Sequence, residues 1–282
     1  MDYSLDYYMK KTKTGKIRLK SGDKAERTMR ITLLSLTMLT FVSFIFFDLT
    51  GFELKTAFVE TMYNLKSMFL MPALSHFTFM EGLFQVIQTL GLAVLSTIIG
   101  AVIAFFLALF AATNISKPSV SKVIRVMVAF IRAVPTVLWV LIFAISAGLG
   151  SEAAVLGMMF HSIAYLVKAY SEAIEEIDAG IIESLRASGA NYWHIVKHGI
   201  LPSTSTYLLS WTFLRFEINF GVAVAMGAAA GAGGIGFELF MASGFYYDLR
   251  EVGFITYMIL LIAIMLEMYS SKLKGKYLQA SS

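Results

Sequence analysis

The sequence predicts an all-α membrane protein with six transmembrane helices. Apolar residues fill 57% of its 282 positions and charged residues 15%, against about 45–50% and 25% in ordinary globular chains. Runs of about 20 apolar residues, long enough to cross a bilayer, recur along the whole chain. Lys and Arg crowd into alternate connections, which is how membrane topology is set. There is no cysteine, which excludes disulfides, thiol chemistry and cysteine-ligated metals.

Residues 1–30 carry Lys10, Lys11, Lys13, Lys16, Arg18, Lys20, Lys24, Arg27 and Arg30. They are expected to form a cytoplasmic tail that acts as a topology signal, not a secretory signal peptide. The first span is Ile31–Phe47. Within residues 31–82 it is followed by Leu54, Phe58, Met62, Leu65 and Phe69 at helical spacing, with Glu53, Lys55, Glu60, Asn64 and Lys66 on the other side. That pattern predicts an amphipathic helix on the outer membrane face.

The second span, Gly82–Ala112, is longer than a bilayer needs and must tilt or protrude. The third ends with Val134–Gly150, its start blurred by Arg132 and Pro135. Ala153–Tyr170, Ser205–Ala228 and Val252–Tyr269 complete the six, and residues 271–282 form a second cytoplasmic tail. Lys117, Lys122, Arg125, Arg186, Lys197, Lys272, Lys274 and Lys276 share the side of the N-terminal tail, whereas Lys55, Lys66 and Arg250 lie opposite. Both ends are therefore expected inside. The net charge of +4 reflects topology rather than a nucleic-acid partner.

Residues 171–204, between spans four and five, are not loop-like. Asp178 can cap a short helix carrying Ile181, Ile182 and Leu185 that Gly189 stops. Asn191 can cap a second with Trp193, Val196 and Ile200, and Pro202 punctuates the entry to span five. Such a knob, carrying apolar side chains, needs a groove to receive it.

At this point the chain resembles the permeases of ATP-binding-cassette importers, whose cytoplasmic signature reads E-A-A-x3-G-x9-I-x-L-P. Glu183, Gly189, Leu201 and Pro202 occupy that frame with its spacing intact. Ser184 and Leu185 replace the two alanines, and Gly199 replaces the isoleucine. Five further stretches are similar to the phosphonate-type branch, in its order: Arg132–Trp139, Ala147–Gly150, Phe160–Asp178, Arg215–Asn219 and Gly231–Leu239. The resemblance covers residues 83–270 and implies a type I importer permease (MetI-like) domain with cytoplasmic coupling helices.

It further implies a non-catalytic subunit of an importer for phosphonate, phosphite or phosphate in a bacterial inner membrane. Its partners would be a second permease copy, two ATP-binding subunits inside and a solute-binding protein outside. The coupling contacts would fall to Glu183, Leu185, Gly189, Ala190, Trp193, Leu201 and Pro202. No G-x-x-x-x-G-K-[ST] is present, so no cofactor is expected on this chain, and ATP and Mg belong to the partner.

Ionisable residues at membrane depth are functional candidates by default. Arg215 and Glu217 lie near the middle of span five but about 200° apart on the helix, so they cannot pair with each other. Arg215 is expected either to attract an anion along the path or to pair with an acid on another span. For Glu217 the structural role is favoured, because a bare carboxylate repels the anion. Asn219 can donate neutral hydrogen bonds. His161 reads as a helix–helix contact, with no partner spacing for a metal.

Gly231, Gly233 and Gly236 spell a G-x-G-x-x-G, but a nucleotide site requires a strand before them and none is read there, and the downstream acids Asp248 and Glu251 fall at the end of an external loop. That argues against a membrane oxidoreductase. Gly227 and Gly231 are expected to permit close helix approach, and Gly233, Gly234 and Gly236 to form a permissive turn at the outer mouth, together a gate or hinge. The other alternative is a secondary transporter coupling Arg215, Glu217 and His161 to protons or sodium. It would carry inverted repeats, none is visible, and it leaves the knob without a use.

Overall fold

The computed structural model describes the backbone of residues 9–11, 17–19, 24–46 and 53–278, with side chains for 26–46 and 53–272. Phe47, expected to end the first span, and the tail cations Lys13, Lys16 and Lys20 lie outside the described residues, as do the side chains of Lys274 and Lys276. Two compact units are present, Met1–Val59 and Glu60–Ser282.

In the first unit, β1 (Met9–Lys11) pairs antiparallel with β2 (Ile17–Leu19), Lys10 opposite Arg18. This short ladder is the one strand pairing among the described residues, and the rest of them keep to the all-α expectation. The rule that backbone groups must be satisfied within a helix applies only in lipid, and a charged tail escapes it. Helix α1 (Lys24–Ile45) follows, with every described side chain from Arg27 to Phe46 exposed. Its 22 residues rise about 33 Å, enough to cross. Helix α2 (Leu54–Leu70) begins in this unit and fully buries no residue; its apolar stripe is exposed at Leu54, Phe58, Met62 and Leu65, and Phe69 is half-buried.

The second unit is a bundle centred on α3 (Phe79–Ala111), α6 (Ser151–Glu175) and α9 (Leu201–Ala229), each of which touches the other two. Thr78 starts α3 with a capping box: its hydroxyl accepts from the Glu81 N–H, and the Glu81 carboxylate accepts from the Thr78 N–H at 2.7 Å. At 33 residues the helix rises about 50 Å, well beyond a hydrocarbon core. Alanines at 93, 104, 108, 154, 164 and 223 fill the centre, because in lipid helices associate by close packing rather than by expelling water.

The third span is broken. Helices α4 (Pro118–Ala133) and α5 (Thr136–Ala147) meet at 92°. Pro135 lacks an N–H and forces Val134 out of the helical region, to ψ 125°. The Trp139 indole N–H donates to the Ile131 carbonyl across the bend at 3.0 Å, satisfying a helix end the proline would strand. Neither piece alone spans about 30 Å of hydrocarbon, whereas the two inclined together do.

The fifth span also differs from expectation. Tyr192–Ala229 is one continuous run of 38 residues: α8 (Tyr192–Ile195), a π-helical turn (Val196–Ile200) and α9. Pro202 does not interrupt it. The wider π turn relieves the clash between the proline ring and the carbonyl one turn earlier. Helix α10 (Ile235–Phe240) runs into a second π turn, Met241–Phe245, and α11 (Leu249–Leu278) closes the bundle. Among the described residues, five helices are long and apolar enough to cross, or six with the broken pair taken as one span.

Helix α5 seats directly on the α6 backbone at Gly157, where an added Cβ would lie 2.5 Å from the Val140 N and 2.6 Å from its Cα. Overpacking costs about 1–3 kcal/mol where side chains can yield, and here the obstacle is backbone. Gly157→Val is therefore expected to lower the melting temperature of the detergent-purified protein sharply, while Gly91→Val, with no atom within 4 Å, leaves it nearly unchanged.

Candidate coupling knob and a cation buried at membrane depth

The knob forms as its caps predict. Asp178 accepts from the Gly180 N–H at 2.7 Å to open α7 (Ala179–Ala187). Gly189 ends it at φ +79°, and the Ala190 N–H reaches the Leu185 carbonyl while the Gly189 N–H reaches that of Arg186, each at 3.0 Å. These two bonds make a Schellman motif. Asn191 accepts from the His194 N–H at 2.9 Å to open α8.

Ile182, Ile195, Val196 and Ile200 turn inward to the bundle. Glu183 and Leu201 are exposed, and Trp193 is 57% exposed, a large apolar surface held out on a short helix. Where the signature has isoleucine, Gly199 is buried, and a Cβ on it would meet the Leu185 Cδ1 at 2.9 Å.

The knob is tied down at its base. Glu175, the last residue of α6, accepts from the Thr113 N–H and hydroxyl at 2.6 Å each and pairs with Arg125. Asn114 donates to the Ile174 carbonyl, Arg186 to the Asn114 carbonyl and the Tyr192 hydroxyl to the Leu109 carbonyl. The α3–α4 connection thereby holds both the end of α6 and the knob.

Deeper in the bundle, Arg215 is 2% exposed. Its Nε donates to the Ser162 Oγ at 2.9 Å, its Nη2 contacts the His161 Nδ1 at 3.1 Å, and its guanidinium carbon lies 5.2 Å from the Tyr165 ring centre. A guanidinium has no lone pair, so Nδ1 is the acceptor and the ring proton sits on Nε2. No carboxylate of the described residues lies within 4.0 Å of it. The expected alternative of an ion pair with an acid on another span is thus absent among the described residues: neutral groups and a π-face hold this cation.

Ser162 is the hub. Its hydroxyl donates to the Met158 carbonyl at 2.6 Å and accepts from Arg215 and from the Asn219 Nδ2, the latter at 2.9 Å. Asn219 also donates to the Thr97 Oγ1 at 2.8 Å and approaches the Ser96 Oγ at 3.3 Å. Five fully or nearly fully buried polar side chains from α3, α6 and α9 thereby share one network.

On the opposite face, residues 73–77 are latched to the start of α11. The Ser75 and His76 N–H groups donate to the Glu251 Oε1 at 3.0 and 2.9 Å, and the His76 Nδ1 contacts the Glu251 Oε2 at 2.6 Å. The Ser75 hydroxyl donates to the Asp248 Oδ2 at 2.7 Å, and His76 stacks on Tyr246. His76, Asp248 and Glu251 have ligand atoms within 4.8 Å of one another, close enough to hold a metal ion, but each already engages a protein group.

A family model described as the binding-protein-dependent transport system inner membrane component matches residues 100–270. The chain belongs to that family. Over 192 residues it is 34% identical to the phosphite transport system permease protein of Stutzerimonas stutzeri, across 68% of this chain and 69% of that one. Over 179 residues it is 35% identical to the phosphate-import permease protein of Mycolicibacterium smegmatis, across 63% of this chain but only 33% of that longer one.

Among solved structures, the inward-facing MetNI methionine ABC transporter superposes with a TM-score of 0.63 at 20% identity, over 72% of this chain and 99% of the other. A bacterial transporter for the acidic polysaccharide alginate gives 0.59 at 14% identity, over 90% and 99%. Both establish the type I importer permease fold. The protein is the membrane subunit of an ABC importer, multi-pass and non-catalytic, and works with a partner ATPase and a solute-binding protein.

In this permease, Arg215 and Asn219 meet at Ser162 and His161 joins them through Arg215, whereas Glu217 stands apart, half-buried, with no hydrogen bond or ion pair to a described residue. Ser162, Tyr165, Ser96 and Thr97 escaped sequence reasoning because small hydroxyls on apolar helices read as packing residues. A helical wheel centred on Asn219 offers no hint of them, since its partners sit on other helices.

The glycines divide differently from expectation. Helix α9 stops at Ala229, so Gly227 and Gly231 do not share a helix face. Instead Gly227 packs on its own following turn, where a Cβ would lie 2.7 Å from the Gly233 O and the Phe237 N. Gly236 is helical and lies against the Val224 carbonyl. Gly231, Gly233 and Gly234 make the turn, at φ +61°, +73° and +74°, a region open to glycine. The turn is fastened to α3, where the Thr89 Oγ1 accepts from the Ile235 N–H at 3.0 Å.

Two outcomes follow from this geometry. Asn219→Leu removes the link between α3 and Ser162 and is expected to cost about 1–2 kcal/mol, read as a lower unfolding midpoint in detergent. Asp248 lies below the ordinary carboxylate range, chiefly through the Ser75 hydroxyl, with the Glu251 and Arg250 N–H groups and His76 adding to it. A carboxyl depressed in the folded state stabilises above its unfolded pKa and loses that contribution as pH falls through the folded value. The amide protection factors of Arg250 and Glu251, whose N–H groups donate to the Asp248 Oδ1, are therefore expected to hold at neutral pH and to fall only below the ordinary carboxylate range. Asp248→Ala, which removes the acceptor, should lower that protection at neutral pH.

Proposed function

We propose that this permease works as a homodimer that carries phosphite, phosphate or a phosphonate into a bacterial cell across the inner membrane, with both termini inside. An external binding protein delivers the anion. Two ATP-binding subunits receive the knob, which carries Glu183, Leu185, Gly189, Ala190, Trp193, Leu201 and Pro202. The observation that carries the coupling role is the doubly capped knob in the signature frame with Trp193 held outward. For the substrate it is the 34% identity to a phosphite permease across two thirds of both chains.

In this reading the path runs along α9. Ile218, Gly221, Ala225 and Ala228 form an exposed, mostly small-residue face there, which a second copy can cover without blocking passage. Glu217, unpaired among the described residues, then faces that copy. Arg215 supplies a positive field rather than a grip: enclosed by Ser162, His161 and Tyr165, it lowers the barrier to an anion without chelating it. A path that bound its anion tightly could not release it. The 231–236 turn, with Gly227 packed behind it, serves as the outer hinge.

The test is reconstitution with the cognate ATPase and binding protein, followed by ATP turnover and uptake. Phosphite, phosphate or methylphosphonate is expected to stimulate turnover, and methionine or carnitine to leave it at the basal rate. Glu183→Lys or Gly189→Asp should abolish uptake while the permease still inserts; intact uptake removes the coupling assignment. Arg215→Gln should cut uptake with the ATPase still bound, and unchanged uptake would take Arg215 off the path.

A further inference from the structure

Beside the knob, α4 and α6 part around a cleft of about 200 Å³, rimmed by Arg125, Arg132 and Lys168 over an apolar floor of Val128 and Val167, with Glu172 at its edge. These charges do not cancel one another. Glu175 engages Arg125. Lys168 and Glu172 stand 3.5 Å apart with side chains 50% and 52% exposed, a pairing of little worth in water. Arg132 makes no hydrogen bond or ion pair with any described residue.

Helix α4 turns Val123, Val126, Met127 and Phe130 outward, all between 59% and 65% exposed, a face suited to acyl chains. The long cationic side chains of the cleft can extend from beside it to headgroup level. A basic pocket between helices at that level recognises phosphate groups, and an Arg beside a Lys supplies both a forked donor and a point charge.

We propose that this cleft is a binding site for a tetrahedral phosphate group, held by Arg132 and Lys168 and bridging the bent span to the helix that leads into the knob. The bound oxyanion removes the repulsion between the two cations and braces α4 against α6. Two sources share this chemistry, the headgroup of an anionic phospholipid and a free phosphorus oxyanion on the knob side. The proposal does not depend on which solute is carried.

The test uses the permease–ATPase complex in nanodiscs of phosphatidylcholine alone, of phosphatidylcholine with phosphatidylglycerol, or of phosphatidylcholine with added inorganic phosphate at matched ionic strength. A ligand that binds only the folded state raises the melting temperature. Phosphatidylglycerol is expected to raise it for the wild type and not for Arg132→Gln/Lys168→Gln. Lys122→Gln, an exposed cation on the same helix outside the cleft, should keep the full rise, and Arg132→Lys part of it. A rise with inorganic phosphate alone, lost in the same double variant, assigns the site to a free oxyanion. Should the double variant assemble poorly, Lys168→Gln alone serves, with phospholipid retained on the protein in native mass spectrometry as its readout. No rise in either arm, or a rise that Lys122→Gln removes as fully as the cleft variants, overturns the proposal.

Discussion

Keeping a guanidinium at membrane depth without a carboxylate is the constraint from which the rest of the bundle follows. Hydrocarbon offers no hydrogen bonds, so every donor on Arg215 that leaves water must find a protein acceptor. Ser162 meets that need because its hydroxyl gives its proton to its own helix, at Met158 O, and keeps two lone pairs for Arg215 and Asn219. Asn219 then reaches Thr97 on α3. Three helices are thereby obliged to meet at one level, and the alanines and Gly100 around them permit it. A Cβ on Gly100 would already press the Ser162 Cβ at 3.1 Å. The polar hub and the small-residue packing are one solution, since neither works at the helix separations the other would need.

The same helices carry the knob. Helix α6 runs from the hub to Glu175, where the α3–α4 connection grips it. The chain returns through the knob and re-enters as α8, the π turn and α9 without a break, arriving at Arg215. From either side the hub lies about 20 Å of continuous helix from the knob. A force applied at Trp193 therefore meets no break in the helix before Arg215, apart from the π turn that Pro202 requires. That geometry supplies a stiff mechanical connection; a change of state still needs an element with two arrangements. The broken third span, pivoting at Pro135 beside Ile131 and Trp139, has the right construction for one.

What could be read in advance follows the range of the forces involved. The spans, the helix Leu54–Leu70 and the caps at Asp178, Gly189 and Asn191 are legible because each depends on residues within a turn or two of itself. The Ser162 hub and the latch of His76 on Glu251 are not, because their partners are 53 and 175 positions apart and nothing in the local pattern marks them. Two errors have a single origin. Pro202 and the pair Gly227–Gly231 were both interpreted on the assumption of a regular α-helix, and at one the helix widens to a π turn while at the other it has already ended.

The departures from the family signature illustrate how far tertiary structure can rewrite a local motif. An alanine position has become Leu185, and an isoleucine position has become Gly199. Taken one at a time, the first overfills the knob and the second empties it. In the structure they face each other: the Leu185 Cδ1 occupies the space a side chain on residue 199 would need, 2.9 Å from an added Cβ. The apolar volume has moved from the second helix to the first, leaving Ile182, Ile195 and Ile200 buried as before. Volume-conserving exchange within a core is what packing tolerates best. The outward residues Glu183 and Leu201 keep their places in the frame, so the exchange alters how the knob is filled and not its exposed face.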